Sequence, residues 1–132
     1  MTRRTAGFDI PAERRSPGLA RRKVAQVVDS WGFGALRADA ELVVSELITN
    51  AIVHAPGSAS YELQLSETPT GLRLAVRDGS TSAPVMRSLD DGRPGGRGLR
   101  IISTVATNWG YDVLPAGKRI WVDLDQPPAS GS

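Results

Sequence analysis

The chain has 132 residues, of which 40% are hydrophobic and 5% aromatic, and it contains no cysteine; that length suits one domain around one core, and the missing thiols exclude disulfide staples and cysteine metal centres and fit a reducing cytoplasm. No apolar run reaches the roughly 18 residues of a bilayer span, and the opening MTRRTAGFDI has no apolar stretch of signal-peptide length, so no membrane association is expected. Net charge is +2, but unevenly spread: residues 1–23 carry net +5 and the remainder −3.

Residues 1–15 are expected to be mobile, although Phe8-Asp9-Ile10 could add a short edge strand before Pro11. Ser16-Pro17 has the pattern of an N-cap followed by proline at the first helical position. A helix over about 17–31 follows, with Leu19, Ala20, Val24, Val27, Val28 and Trp31 at helical spacing, ended by Gly32 and Gly34. A second helix covers about 37–55 and stops at Pro56-Gly57. Tyr61, Leu63 and Leu65 alternate with polar residues, as do Leu72, Leu74 and Val76; a turn over Pro69–Gly71 joins these two strands. Residues 79–97 are rich in Gly, Ser, Thr, Pro and Asp, too long for a plain connection, and mark either a functional or a disordered loop. A third helix starts near Arg97 or Gly98 and carries Leu99, Ile101, Ile102, Val105 and Ala106. Two closing strands follow at about 109–114 and 119–124, turning at Pro115–Gly117, and residues 125–132 have the makeup of a disordered tail. The neighbouring hairpins predict a two-layer α/β sandwich, with a mostly antiparallel sheet and helices on one face.

Three stretches could carry chemistry. On the second helix Glu46, Thr49, Asn50 and His54 fall within one arc, while most of the remaining circumference is apolar. This polar stripe faces either water or a ligand. Facing a nucleotide, the Asn50 carbonyl suits Mg²⁺, a hard cation that keeps several waters and takes phosphate oxygens. Glu46, one turn earlier, could accept a proton from an attacking hydroxyl. The second stretch is Asp78-Gly79. Either it is a plain turn, or Asp78 accepts a hydrogen bond from an exocyclic amine while Gly79 lets the backbone approach a flat base. The third is Gly92-Arg93-Pro94-Gly95-Gly96-Arg97-Gly98-Leu99. It is either a flexible linker or a run of amides that, with the following helix N-terminus and the charges of Arg93 and Arg97, holds phosphate. The P-loop pattern is absent, and Gly96-Arg97-Gly98 lacks the third glycine of the dinucleotide fingerprint.

In this order Glu46-Leu-Ile-Thr-Asn50-Ala-Ile-Val-His54, Asp78-Gly79 and Gly96-Arg97-Gly98-Leu99 resemble the three boxes of the GHKL ATPase superfamily, and within it the small bacterial anti-sigma factor serine kinases and their actinobacterial relatives. The resemblance covers about residues 16–124 and implies the Bergerat-type ATP-binding fold. It implies Glu46 as catalytic base, Asn50 on Mg²⁺, Asp78 reading adenine beside Gly79, and Gly96 to Leu99 closing the ATP lid. His54 falls near a position where relatives often carry a group that reaches phosphate; a solvated or capping histidine is the other reading. One departure is plain. The second box usually runs Asp-x-Gly-x-Gly, whereas this chain has Asp78-Gly79-Ser80-Thr81-Ser82.

The expected function is therefore that of an ATP- and Mg²⁺-dependent regulatory serine/threonine kinase. The resemblance implies a sigma factor as bound partner, a STAS-type anti-sigma antagonist as the protein phosphorylated, and a homodimer. A nucleotide-gated binding module without catalysis is the alternative. The basic N-terminal segment suits nucleic acid, an acidic protein surface or plain solvation, but no helix-turn-helix or aromatic platform supports nucleic acid. Histidine kinase activity is not expected, because no phospho-acceptor helix pair precedes the domain.

Overall fold

The computed structural model describes residues 3–55, 57–79 and 96–127, with backbone alone for 96–100. In chain order the elements are β1 (Thr5–Pro11), α1 (Ser16–Ser30), a 3-10 turn (Gly34–Leu36), α2 (Arg37–His54), β2 (Ser60–Glu67), β3 (Gly71–Asp78), α3 (Gly96–Val105), β4 (Asn108–Leu114) and β5 (Gly117–Asp125). The strands form one antiparallel sheet in the order β1-β2-β3-β5-β4. It is the α/β arrangement expected, with α1 against β1 and α2 against β3 and β5.

Because side chains alternate across a strand, the register sorts the sheet into rows. On the helix side one row reads Ala6, Leu65, Leu74, Val122 and Trp109, and the next Phe8, Leu63, Val76, Ile120 and Tyr111. Leu63, Leu65, Leu74 and Val122 reach no solvent at all. The third row starts as the others do, with Ile10 opposite Tyr61, but its centre is charged: Asp78 lies opposite Lys118, which lies opposite Val113. Above the sheet α2 is flanked by α1 on one side and α3 on the other. That explains why a helix so nearly apolar around its circumference exists here: Ala40, Val43, Val44, Leu47, Ile48 and Ala51 are all buried.

Three details differ from expectation. The segment over 1–15, expected to be mobile beyond a short Phe8–Ile10 strand, holds the seven-residue β1, paired with β2 along its whole length and with Ile10 fully buried. The backbone pairing and the buried isoleucine side chain outweigh the breaking influence of Gly7 and Pro11. Ser16 does not cap α1. Its buried hydroxyl donates to the Pro11 carbonyl and accepts from the Glu13 amide at 3.2 Å, tying the end of β1 to the start of the helix. The N-cap position is Arg15, which makes no side-chain capping bond. Third, β5 begins at Gly117, two residues earlier than the alternation suggested. The segment 80–95 and residues 128–132 of the expected tail lie outside the described residues.

The face away from the helices is polar around one aromatic. Arg73 forks onto Asp123 at 2.7 and 2.9 Å, and its guanidinium sits 4.3 Å from the centroid of the Trp121 ring. Trp121 lies flat against Gly110, where a Cβ would come within 2.7 Å of its Cζ2. Arg73, Trp121 and Asp123 border a cavity of about 470 Å³.

Candidate functional site

Connectivity gathers the singled-out residues at one end of the molecule. The end of α2 leads within a few residues to the start of β2, and β2 begins beside the end of β3 because Glu62 pairs with Arg77. Asn50 and His54, in the last turns of α2, therefore share an end with Asp78. The C-terminus of α3 feeds β4, whose first residue Asn108 pairs with Asp123 near the far end of β5. The N-terminus of α3, with Gly96, Arg97, Gly98 and Leu99 in its first turn, is thus directed back toward the Asp78 end. The first four amides of a helix have no partner within it, so these glycines present their N–H groups where an anion is best received. The side chains of Arg97 and Leu99, and Arg93 altogether, lie outside the described residues.

Glu46 and Asn50 stand one turn apart on the same stripe, a separation of about 6 Å along the axis. Glu46 is half-buried, and burial pushes its carboxyl above the usual range. Asn50 is 1% exposed, and its Oδ1 is buried without a hydrogen-bond partner among the described residues. An unmatched buried acceptor is costly, on the order of 1–3 kcal/mol, and a carbonyl oxygen in that state suits a hard cation. Among the described residues no three His, Cys, Asp or Glu side chains gather as a metal cage. A cation held by Asn50 would take its remaining oxygens from a bound phosphate and water. His54, half-buried in the last turn of α2, is engaged in interactions of its own.

Asp78 is not a simple turn residue. Its carboxylate meets Lys118 Nζ at 3.0 Å through Oδ2 and 3.3 Å through Oδ1, with the lysine side chain 1% and the aspartate side chain 3% exposed. Nearby Tyr61, buried beside β3, has its hydroxyl pushed up in pKa, first by burial and then by the charge of Asp78. Gly117 permits this geometry: a Cβ there would collide with the Asp78 carbonyl oxygen and press on Gly79 Cα. Gly79 itself is exposed just beyond the strand. Lys118 and Tyr61 were not among the residues expected at the site. In the sequence Tyr61 reads only as one of the alternating apolar residues of β2. Lys118 fell between the turn ending at Gly117 and a strand thought to start at 119, yet it shares its alternation with Ile120, Val122 and Leu124, and a lysine in that stripe demands a buried counter-charge.

Residues 10–124 match the model of the histidine kinase-like ATPase domain. The chain belongs to the histidine kinase-like ATPase family. In this ATP-binding domain the glycine-bearing N-terminus of α3 lies within one or two residues of the helix start expected. This ATPase domain is also 35% identical over 85 residues to the serine/threonine-protein kinase BtrW of Bordetella bronchiseptica, a match covering 56% of this chain and 59% of that protein. The chain thus aligns with less than two thirds of that relative's length.

Proposed function

We propose that this ATPase domain is a Mg²⁺-dependent serine/threonine kinase that regulates transcription in the cytoplasm, holding a sigma factor and phosphorylating a STAS-type antagonist of that binding. One observation carries the reading: a buried asparagine oxygen without a partner among the described residues, one turn from a carboxylate whose proton affinity is raised by burial. Mg²⁺ bound through Asn50 would neutralise charge on the phosphates during transfer. Glu46 accepts the proton of the attacking serine or threonine hydroxyl, and a raised pKa makes it a stronger base than an ordinary carboxylate. The amides at Gly96 and Gly98 receive phosphate oxygens, and Asp78 accepts from the adenine amine. The relative's name supports kinase chemistry. Incubation with radiolabelled ATP, Mg²⁺ and an antagonist of this class should label the partner on Ser or Thr, and Glu46→Ala should abolish labelling. Wild-type protein that transfers no phosphate to any such partner would leave the kinase reading without support.

A second reading, an ATP-gated binding module without catalysis, is favoured by the departure at Ser80 and Ser82 and by the prior engagement of Asp78 with Lys118. The two separate cleanly. In the module, Glu46→Ala leaves partner capture intact while Asn50→Ala impairs it.

A further inference from the structure

We infer that β4 is a docking edge for a second copy of this chain, the two strands pairing antiparallel about Tyr111 so that the sheets of both copies join into one. The inference is independent of the nucleotide reading, because it uses only the main chain and side chains at the margin of the sheet.

A sheet ordered β1-β2-β3-β5-β4 has two margins, and here they are built differently. On β1 the Arg4 carbonyl accepts from the Glu67 amide at 2.9 Å, and the Ala12 amide donates to the Ala59 carbonyl at 3.0 Å. Hydrogen bonding alternates along an antiparallel pair, so the main chain turned away from β2 belongs to Thr5, Gly7, Asp9 and Pro11. One of these has no N–H and one is charged, the usual protections of an exposed edge. On β4, Leu114 and Gly117 are partners across the two-residue turn Pro115-Ala116, where a turn's closing hydrogen bond is made. Counting back in twos, Val113, Tyr111 and Trp109 direct their N–H and C=O groups to the open side. Between Asn108 and Leu114 there is no Lys, Arg or Pro, and Val113 and Tyr111 are 61% and 40% exposed. An edge without such guards is a template for another strand.

The strand that fits it is its own copy. With Tyr111 opposite Tyr111, Trp109 meets Val113 of the second copy, and one apolar row runs across the junction on the helix side. On the outer side Gly110 meets Asp112 of the second copy. Trp121 lies over Gly110, its Nε1 3.4 Å from where a Cβ would stand and without an acceptor among the described residues. Asp112 binds Arg119 through Oδ2 at 2.8 Å, and its side chain is 46% exposed. Its Oδ1 is therefore placed to accept from the indole N–H across the junction. Two-fold symmetry repeats this contact on the other side of Tyr111, as an isologous interface requires. A foreign strand would satisfy the main chain but not both side-chain rows.

The test reads association and register separately. Between about 1 and about 500 µM, wild-type protein should pass from monomer to dimer in sedimentation velocity, with a Kd on the order of 10 µM for so short an edge. Val113→Lys should weaken association at least about tenfold, while Thr5→Lys on the β1 edge leaves it unchanged. The chain has no cysteine, so single thiols report the register. Under mild oxidation Tyr111→Cys, which sits at the dyad within disulfide reach of its counterpart, should give covalent dimer much faster than Val113→Cys, whose counterpart lies about 13 Å away along the strand. Random collision would favour the more exposed position 113, so equal or reversed rates overturn the inference. So does a wild type that stays monomeric throughout the range, and so does a dimer that survives Val113→Lys or is lost in Thr5→Lys.

Discussion

The Asp78–Lys118 pair makes a quantitative claim about stability that is independent of any ligand. Both side chains are at least 97% shielded from solvent, so Lys118→Met leaves a carboxylate buried beside a thioether. Removing one partner of such a pair costs about 3–5 kcal/mol, against about 0–1 kcal/mol for a surface pair. A domain of 132 residues unfolds with an entropy on the order of 0.28 kcal/mol/K, so a loss of about 4 kcal/mol should lower Tm by about 14 °C. The double variant Asp78→Leu with Lys118→Met removes both charges and should return to within about 1 kcal/mol of wild type or exceed it. Urea unfolding followed by circular dichroism on the four proteins of the cycle gives the coupling directly. A cost below about 1 kcal/mol for Lys118→Met, with no coupling to Asp78→Leu, would mean that the pair is solvated in solution, and the description of a charged row inside the sheet would be wrong.

Other changes probe separate parts of the molecule. Gly117→Ala places a methyl group on the Asp78 carbonyl; a loss on the order of 1–3 kcal/mol is expected in chemical denaturation, with a larger proportional loss of ATP affinity than distant variants of equal stability show. Glu46 binds its proton more tightly in the folded protein than in the unfolded chain, so the stability it confers is full in acid and declines as pH rises through its folded pKa. Glu46→Gln should therefore raise Tm at about pH 8 and give no gain at about pH 4, while phosphoryl transfer disappears. For the same reason, transfer by the wild type should fall with acidification at a higher pH than an ordinary carboxylate would dictate. Gly110→Ala pushes Trp121 away from β4 and should cost on the order of 1 kcal/mol in thermal melts with ATP affinity unchanged.

How far these features could be read from the chain alone depended on the distance over which each is determined. Glu46 and Asn50 are one helical turn apart, and the alternation of Tyr61, Leu63 and Leu65 is equally local, so stripe and hairpin were visible in the spacing. The seven-residue β1 was less so. Its strongest apolar residues, Phe8 and Ile10, are separated from flanking strand formers by Gly7, Asp9 and Pro11, and what orders it is pairing with β2, 49 to 61 residues away in the chain. Ser16 carries the signature of a cap, but its hydroxyl is drawn to a carbonyl at the end of the preceding strand. Lys118 was the largest omission. Its alternation with Ile120, Val122 and Leu124 points it inward, but its partner lies 40 residues earlier, and the β3–β5 register is what identifies Asp78 as the counter-charge. For the residues from Gly96 to Leu99 the helix start was anticipated within one or two positions, the usual uncertainty of a helix boundary.

The stacked indole on the sheet's outer face also makes the protein its own optical instrument. Trp121 is clamped between a guanidinium and a glycine on the surface opposite α2, whereas Trp109 points to the helix side at the sheet's margin and Trp31 lies beyond the end of α1, near Arg4. Emission from three chromophores in three separate surroundings can be told apart by replacing them singly with phenylalanine. A quench confined to Trp121 would then locate a binding event behind the sheet, and silence from it during ATP titration would serve as the internal reference.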